Sequence, residues 1–247
     1  MNIPRDMWTQ VIDVELPQVV RFERPGGGEE AIAKAADLLS KASFPVILSG
    51  AGVVLSGAIP DLAKLAERLD APVCSNYQHN DSFPGSHPLA VGPLGYNGSK
   101  AAMELIARAD VVLALGTRLN PFSTLPGYGI DYWPKNADVI QVDINADRIG
   151  LTKKVTVGIE GDATKVARAI LAQLSDDAGD AGREDRRNLV SLTKSRWAQE
   201  LSSLDHEDDD PGTTWNEESR QRDAELMSPR QAWRAIQSAL PKDAIIS

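Results

Sequence analysis

Three corners of the chain combine glycine or charge with a preceding apolar run, and these are the places where its chemistry could lie. The first is Gly50-Ala51-Gly52, after the run ending at Ser49. Glycines there permit close backbone approach or positive φ, and their N–H groups could face a phosphate; a tight strand-to-helix turn explains them equally. A dinucleotide fingerprint would place a third glycine three positions on, but Leu55 stands there, so the run does not license NAD. The second corner is Gly116-Thr117-Arg118. The Arg118 guanidinium suits a bidentate phosphate contact or stacking on a base, and also an ordinary surface ion pair. The third is Asp143-Ile144-Asn145, with an acid where a ribose hydroxyl is often held and where a helix cap is also common.

Other reactive residue types give less. His79 and His87 lie eight apart in a Pro/Gly-rich loop without a matching cysteine or acid cluster, which disfavours metal ligation. His206 falls in an acidic loop and reads as solvated. Cys74 falls in a strand pattern and reads as a small core residue. Tyr96, Tyr128, Tyr132 and Trp133 accompany glycine-rich loops, where they could cover a ligand or merely pack the loop. No Gly-x-Ser-x-Gly, P-loop lysine or His-Glu-x-x-His pattern occurs.

The elements that position these corners follow from periodicity. Ile32, Ala35, Ala36, Leu39 and Ala42 recur at helical spacing, as do Ile59, Leu62, Leu65, Ala66 and Leu69, with Pro60 in a first turn where proline is tolerated. A helix around 102–109 is expected to be capped by Asn97 or Ser99, and another spans 162–174. Apolar runs at 45–48, 71–75, 110–116, 138–143 and 155–159 read as strands. Continuous apolar strands alternating with amphipathic helices indicate a doubly wound α/β fold, a mainly parallel six-stranded sheet with helices on both faces. Five of the six strands are placed by the pattern.

Residues 1–28 read as an extended lead-in broken by Pro25-Gly26-Gly27-Gly28, and 29–175 as the α/β domain. A partly mobile linker is expected over 176–227. It contains a helical stripe at 189–204 and a solvated acidic run from 205. Ser228-Pro229 is expected to cap a further helix, and 243–247 begins an apolar strand that stops, so both ends have the look of cuts through a longer polypeptide. A net charge of −9 opposes non-specific nucleic-acid binding. The absence of a signal-peptide pattern, of any apolar run of membrane length and of a second cysteine points to the cytoplasm.

Taken in order, Phe44–Gly52, Ala71-Pro72-Val73, Gly92–Gly98, Ala109–Asn120, Val142–Asn145 and Gly161-Asp162-Ala163 resemble the central domain of thiamine-diphosphate enzymes of the acetohydroxyacid synthase and oxalyl-CoA decarboxylase type. The segments 2–8 and 128–134 resemble the branch of that family that cleaves sulfoacetaldehyde and passes the acetyl unit to phosphate, releasing sulfite. The resemblance implies thiamine diphosphate and Mg²⁺ in a full-length acyltransferase, an oligomer with active sites between subunits, and N- and C-terminal domains as partners. It also implies that 228–247 opens the diphosphate-binding domain. The activating glutamate and the Gly-Asp-Gly…Asn motif of the family are not in this sequence, so the chain alone is expected to be inactive. By matched positions, a nucleotide crevice would be lined by Gly50, Gly52, Gly116, Arg118, Asp143, Ile144 and Asp162, holding an ADP- or CoA-type ligand in some relatives, FAD in others and nothing in the rest. Asp143 would meet the ribose and Asp162 the base edge. Asn120-Pro121-Phe122 stands where FAD holders carry Asp-Asp-Arg, which argues against FAD. Other readings are an NAD-dependent enzyme, a stand-alone nucleotide module or another member of the same synthase group.

Overall fold

A computed structural model describes residues 4–203, except 12, 17 and 21, together with 229–241 and 244. Helix α1 (Glu29–Lys41) carries Glu29 and Glu30 in its first turn and Lys41 in its last, charges that oppose the helix dipole favourably. Strand β1 (Pro45–Ser49) is buried throughout and leads into a short helix α2 (Ala51–Ser56), which Gly57 ends in the left-handed conformation at φ 74°. Helix α3 (Ile59–Leu69), strands β2 (Val73–Asn76) and β3 (Ala90–Leu94), helix α4 (Lys100–Ile106) and strand β4 (Val111–Leu115) follow. The remaining elements are β5 (Asp138–Asp143), β6 (Val157–Glu160), α5 (Ala163–Gln173), α6 (Arg183–Ser203) and α7 (Pro229–Ala239).

All six strands are parallel, in the order β3-β2-β1-β4-β5-β6. The expected sheet is therefore present, and parallel throughout. Its sixth strand, β3, lies in the stretch read as loop. Ala-Val-Gly-Pro-Leu carries two residues that disfavour strands, and it is tolerated because β3 is an edge strand, where Pro93 costs no ladder bond on its open side.

The strands alternate their side chains between two cores. Ile47, Leu113, Ile140 and Ile159 pack under α1, α3 and α5. Val46, Leu48, Val112 and Val139 pack under α4, the loop residues Leu119 and Tyr132, and Val190 of α6. Cys74 is fully buried in this second core, and that burial raises its thiol pKa, so it is the inert packing residue its pattern suggested. Ser99 caps α4 by accepting from the Ala102 N–H.

Helix α6 begins inside the span read as linker. Arg186 on its first turn is 1% exposed and donates to the carbonyls of Ser43, Leu69, Asp70, Gly179 and Ala181. Ser43, Leu69 and Asp70 lie at the amino edge of the sheet, just before β1 and β2, and Gly179 and Ala181 lie in the turn that leads into α6. From there α6 runs antiparallel to α4, with Lys100–Glu200 at 3.0 Å and an Arg196–Glu104 pair. The acidic run from 205, His206, Ser228 and most of the 243–247 strand lie outside the described residues.

Candidate functional site

The strand order reverses between β1 and β4, and a crevice opens there beyond the carboxyl ends of the strands, where open α/β sheets take their ligands. It is a cavity of about 420 Å³, within the range of small-molecule sites. Two glycines set its floor. A Cβ on Gly52 would stand 2.7 Å from the Gly116 Cα, and one on Gly116 would stand 2.7 Å from the Val53 nitrogen. Gly116 also sits at φ +61°, so backbones from the ends of β1 and β4 touch only because neither residue has a side chain.

The glycine corner works by close approach rather than by offering amides. The Gly50 N–H donates to the Leu115 carbonyl and the Gly52 N–H to the Gly116 carbonyl, so neither is open to a phosphate. Gly50 does not line the crevice; a Cβ there would meet Asn76, Thr117 and the Gly116 carbonyl within 2.8 Å. Beside it, Asn76 Nδ2 donates to Thr117 Oγ1 at 3.0 Å, tying the end of β2 to that of β4. Leu55, in the place of a third fingerprint glycine, points outward from the lip and is 76% exposed, while Val53 makes the packing contact. A helix of six residues ending at Gly57 is short for the dinucleotide pattern, and its close contact with the sheet is made at Gly52 and Val53 instead of at the third-glycine position.

The crevice brings together Gly52, Gly116, Arg118, Asp143, Ile144 and Asp162 of the seven expected residues. Arg118 is exposed and forms no hydrogen bond or ion pair with the described residues. Asp143 is buried, and its Oδ1 accepts from the Asn145 N–H at 2.9 Å, leaving the second oxygen without a described partner. Asp162 is more heavily engaged. Its Oδ1 caps α5 by accepting from Thr164 and Lys165, and its Oδ2 pairs with Arg24 at 2.8 Å. Burial by itself raises the Asp162 carboxyl, but the Arg24 bond and the two backbone amides outweigh it and leave the pKa below its ordinary value.

Sequence patterns had not singled out Arg24, Arg148, Asn76 or Thr117 as site residues. Arg24 enters from the lead-in, 138 residues from Asp162 in sequence, and no local pattern encodes that meeting. Arg148 sits on a 3-10 turn five residues after Asp143, so a cation following the strand-end acid was the available signal. His79 lines the crevice and lies 3.7 Å from Asp81, whereas His87 packs on Phe83 and Glu67 elsewhere. Among the described residues no group of three His, Cys, Asp or Glu could hold a metal ion. The four loop aromatics do not line the crevice. Tyr132 is buried in the second core, Tyr128 stacks edge-on against Trp197, and Lys153 lies over the Trp133 ring.

Residues 32–170 match the family described as thiamine pyrophosphate enzyme, central domain. Across all 247 residues the chain is 73% identical to a sulfoacetaldehyde acetyltransferase of Roseovarius nubinhibens and 74% identical to a probable sulfoacetaldehyde acetyltransferase of Rhizobium meliloti. It is 67% identical to the sulfoacetaldehyde acetyltransferase of Rhodobacter capsulatus. The chain spans 41–42% of the length of these relatives. With its parallel sheet, its crevice at the strand reversal and this match over more than half its length, the chain belongs to the thiamine pyrophosphate enzyme central-domain family.

Proposed function

We propose that this chain serves as the central domain of a sulfoacetaldehyde acetyltransferase, an enzyme that uses thiamine diphosphate and Mg²⁺ to convert sulfoacetaldehyde and phosphate into acetyl phosphate and sulfite. The observation that carries this reading is identity of 67–74% over the whole chain to relatives bearing that name. The residues here do not fit the cofactor itself. The crevice acids Asp143 and Asp162 are engaged by backbone amides and Arg24, and the described residues offer no metal-ligand cluster. Bond-making on thiamine therefore belongs to other domains of a longer enzyme, in the cytoplasm, and this domain contributes scaffold and positioning.

The placement of its attached segments supports that role. The lead-in is pinned beside Asp162, just beyond β6, and α6 ends beside Lys100 and Tyr128, beyond β3 and β4. Both therefore meet the carboxyl edge of the sheet. Every exposed large hydrophobic side chain between 25 and 182 also lies in a segment that leaves a strand's carboxyl end, among them Leu55, Tyr96, Phe122, Tyr128 and Ile144. Apolar exposure on these segments suits a contact surface, and we assign this edge to the neighbouring domains of a dimeric or tetrameric enzyme.

Within the crevice we propose an ADP- or CoA-type nucleotide. Arg118 and Arg148 supply cations for the phosphates, and the open oxygen of Asp143 supplies an acceptor for a ribose hydroxyl. Asp162, already tied to Arg24, serves as wall rather than as reader of a base edge. Calorimetric titration of the chain with ADP, CoA and FAD tests this. Heat with ADP or CoA and none with FAD is expected; silence with all three would show an empty scaffold crevice.

A further inference from the structure

The lead-in is fastened to the domain over five residues. Lys165 Nζ donates to Glu23 and to the Arg24 carbonyl, both at 2.8 Å. Arg24 Nη1 reaches Asp162 Oδ2, the Asp162 N–H donates to the Pro25 carbonyl at 2.8 Å, and Gly26 pairs antiparallel with Gly161. The fit is close: a Cβ on Gly27 would lie 2.8 Å from Ile159, and one on Gly161 would lie 2.5 Å from Val166. Ahead of this clasp, Val11, Leu16, Val19 and Phe22 are 82–100% exposed.

Asp162 therefore does three things at once. It caps α5, holds the strap through Arg24 and forms one wall of the crevice. Arg24 lines the same crevice, and only Nη1 of its fork is engaged by a described residue. A planar guanidinium can serve a carboxylate with one nitrogen and a phosphate oxygen with another.

We propose that the Arg24–Asp162 clasp couples the crevice to the strap: an anionic ligand in the crevice fastens the lead-in to the domain, and the fastened lead-in tightens the ligand. This rests on the crevice being a nucleotide site, as argued above. Linkage requires both effects to be the same factor. The consequence is that the direction in which the chain leaves the domain at residues 23–27 depends on whether the crevice is filled.

The test uses the 247-residue chain with ADP as probe, read by calorimetry and by hydrogen exchange of peptides covering 18–27. In the wild type, ADP slows exchange over 23–27. Arg24→Ala and Asp162→Asn each weaken ADP by about five-fold or more and remove that slowing. Asparagine retains the cap on α5, so the helix stays intact. The double variant weakens ADP no further than either single one, because one linkage is lost in all three. Unchanged affinity in both variants, with unchanged strap exchange on ADP addition, would overturn the coupling and leave the crevice reading standing. No ADP heat in the wild type would overturn both.

Discussion

At the scale of single residues, the crevice depends on side chains that are missing as much as on those present. Gly52 and Gly116 touch backbone to backbone, so Gly116→Ala must both occupy a left-handed conformation and push against Val53. The expected cost is about 2–4 kcal/mol by urea unfolding. Gly57→Ala provides the contrast, since φ is +74° there with open space around it, and its cost should stay near 1 kcal/mol. Gly50-Ala51-Gly52 was legible in sequence as an unfinished fingerprint; its geometry was not, because the partner Gly116 comes 64 positions after Gly52. Asp162 titrates from a lowered pKa. Its folded pKa lies below the ordinary 3.8, so the stability it confers is fully present above that value and is lost as pH falls through the lower, folded value. Comparing wild type with Asp162→Asn from about pH 6 down to about pH 2 should show the wild-type advantage shrinking toward the acid end. An advantage that grows on acidification would contradict the assignment.

At the scale of elements, periodicity located five strands and most helices because their apolar residues face a core. It missed β3, where Gly92 and Pro93 mimic a loop and only the edge position makes a strand possible. It also missed the first turns of α6, whose polar sequence carries almost no apolar stripe before Leu189. What fixes those turns is the buried Arg186 guanidinium, with Arg187 paired to Asp70 at 2.9 Å beside it. Arg186 gathers five carbonyls, two of them at the open end of α3, and its charge is desolvated without touching a carboxylate. Arg186→Met should leave these buried acceptors short of donors and cost about 3 kcal/mol or more by urea unfolding. Hydrogen exchange should rise first over 183–190. A variant as stable as wild type would mean that water or the neighbouring turns satisfy the carbonyls instead.

At the scale of the whole molecule, the domain has one sheet, two cores and one busy edge. The crevice, exposed Leu55, Tyr96 and Ile144, the arriving lead-in and the end of α6 all lie beyond the carboxyl ends of the strands. In that crevice Asp162 is taken up by the α5 cap and the Arg24 clasp, while Asp143 keeps one oxygen without a described partner. That arrangement suits a positioning domain whose edge is met by others. The most direct test exchanges this chain for the corresponding segment of the Roseovarius nubinhibens enzyme, to which it is 73% identical. The exchanged enzyme, given sulfoacetaldehyde, phosphate, thiamine diphosphate and Mg²⁺, should form acetyl phosphate within about ten-fold of the parent rate, a difference of roughly 1.4 kcal/mol in activation free energy. The 247-residue chain alone should form none. A folded exchange that fails to turn over, or turnover by the chain alone above a protein-free blank, would contradict the account.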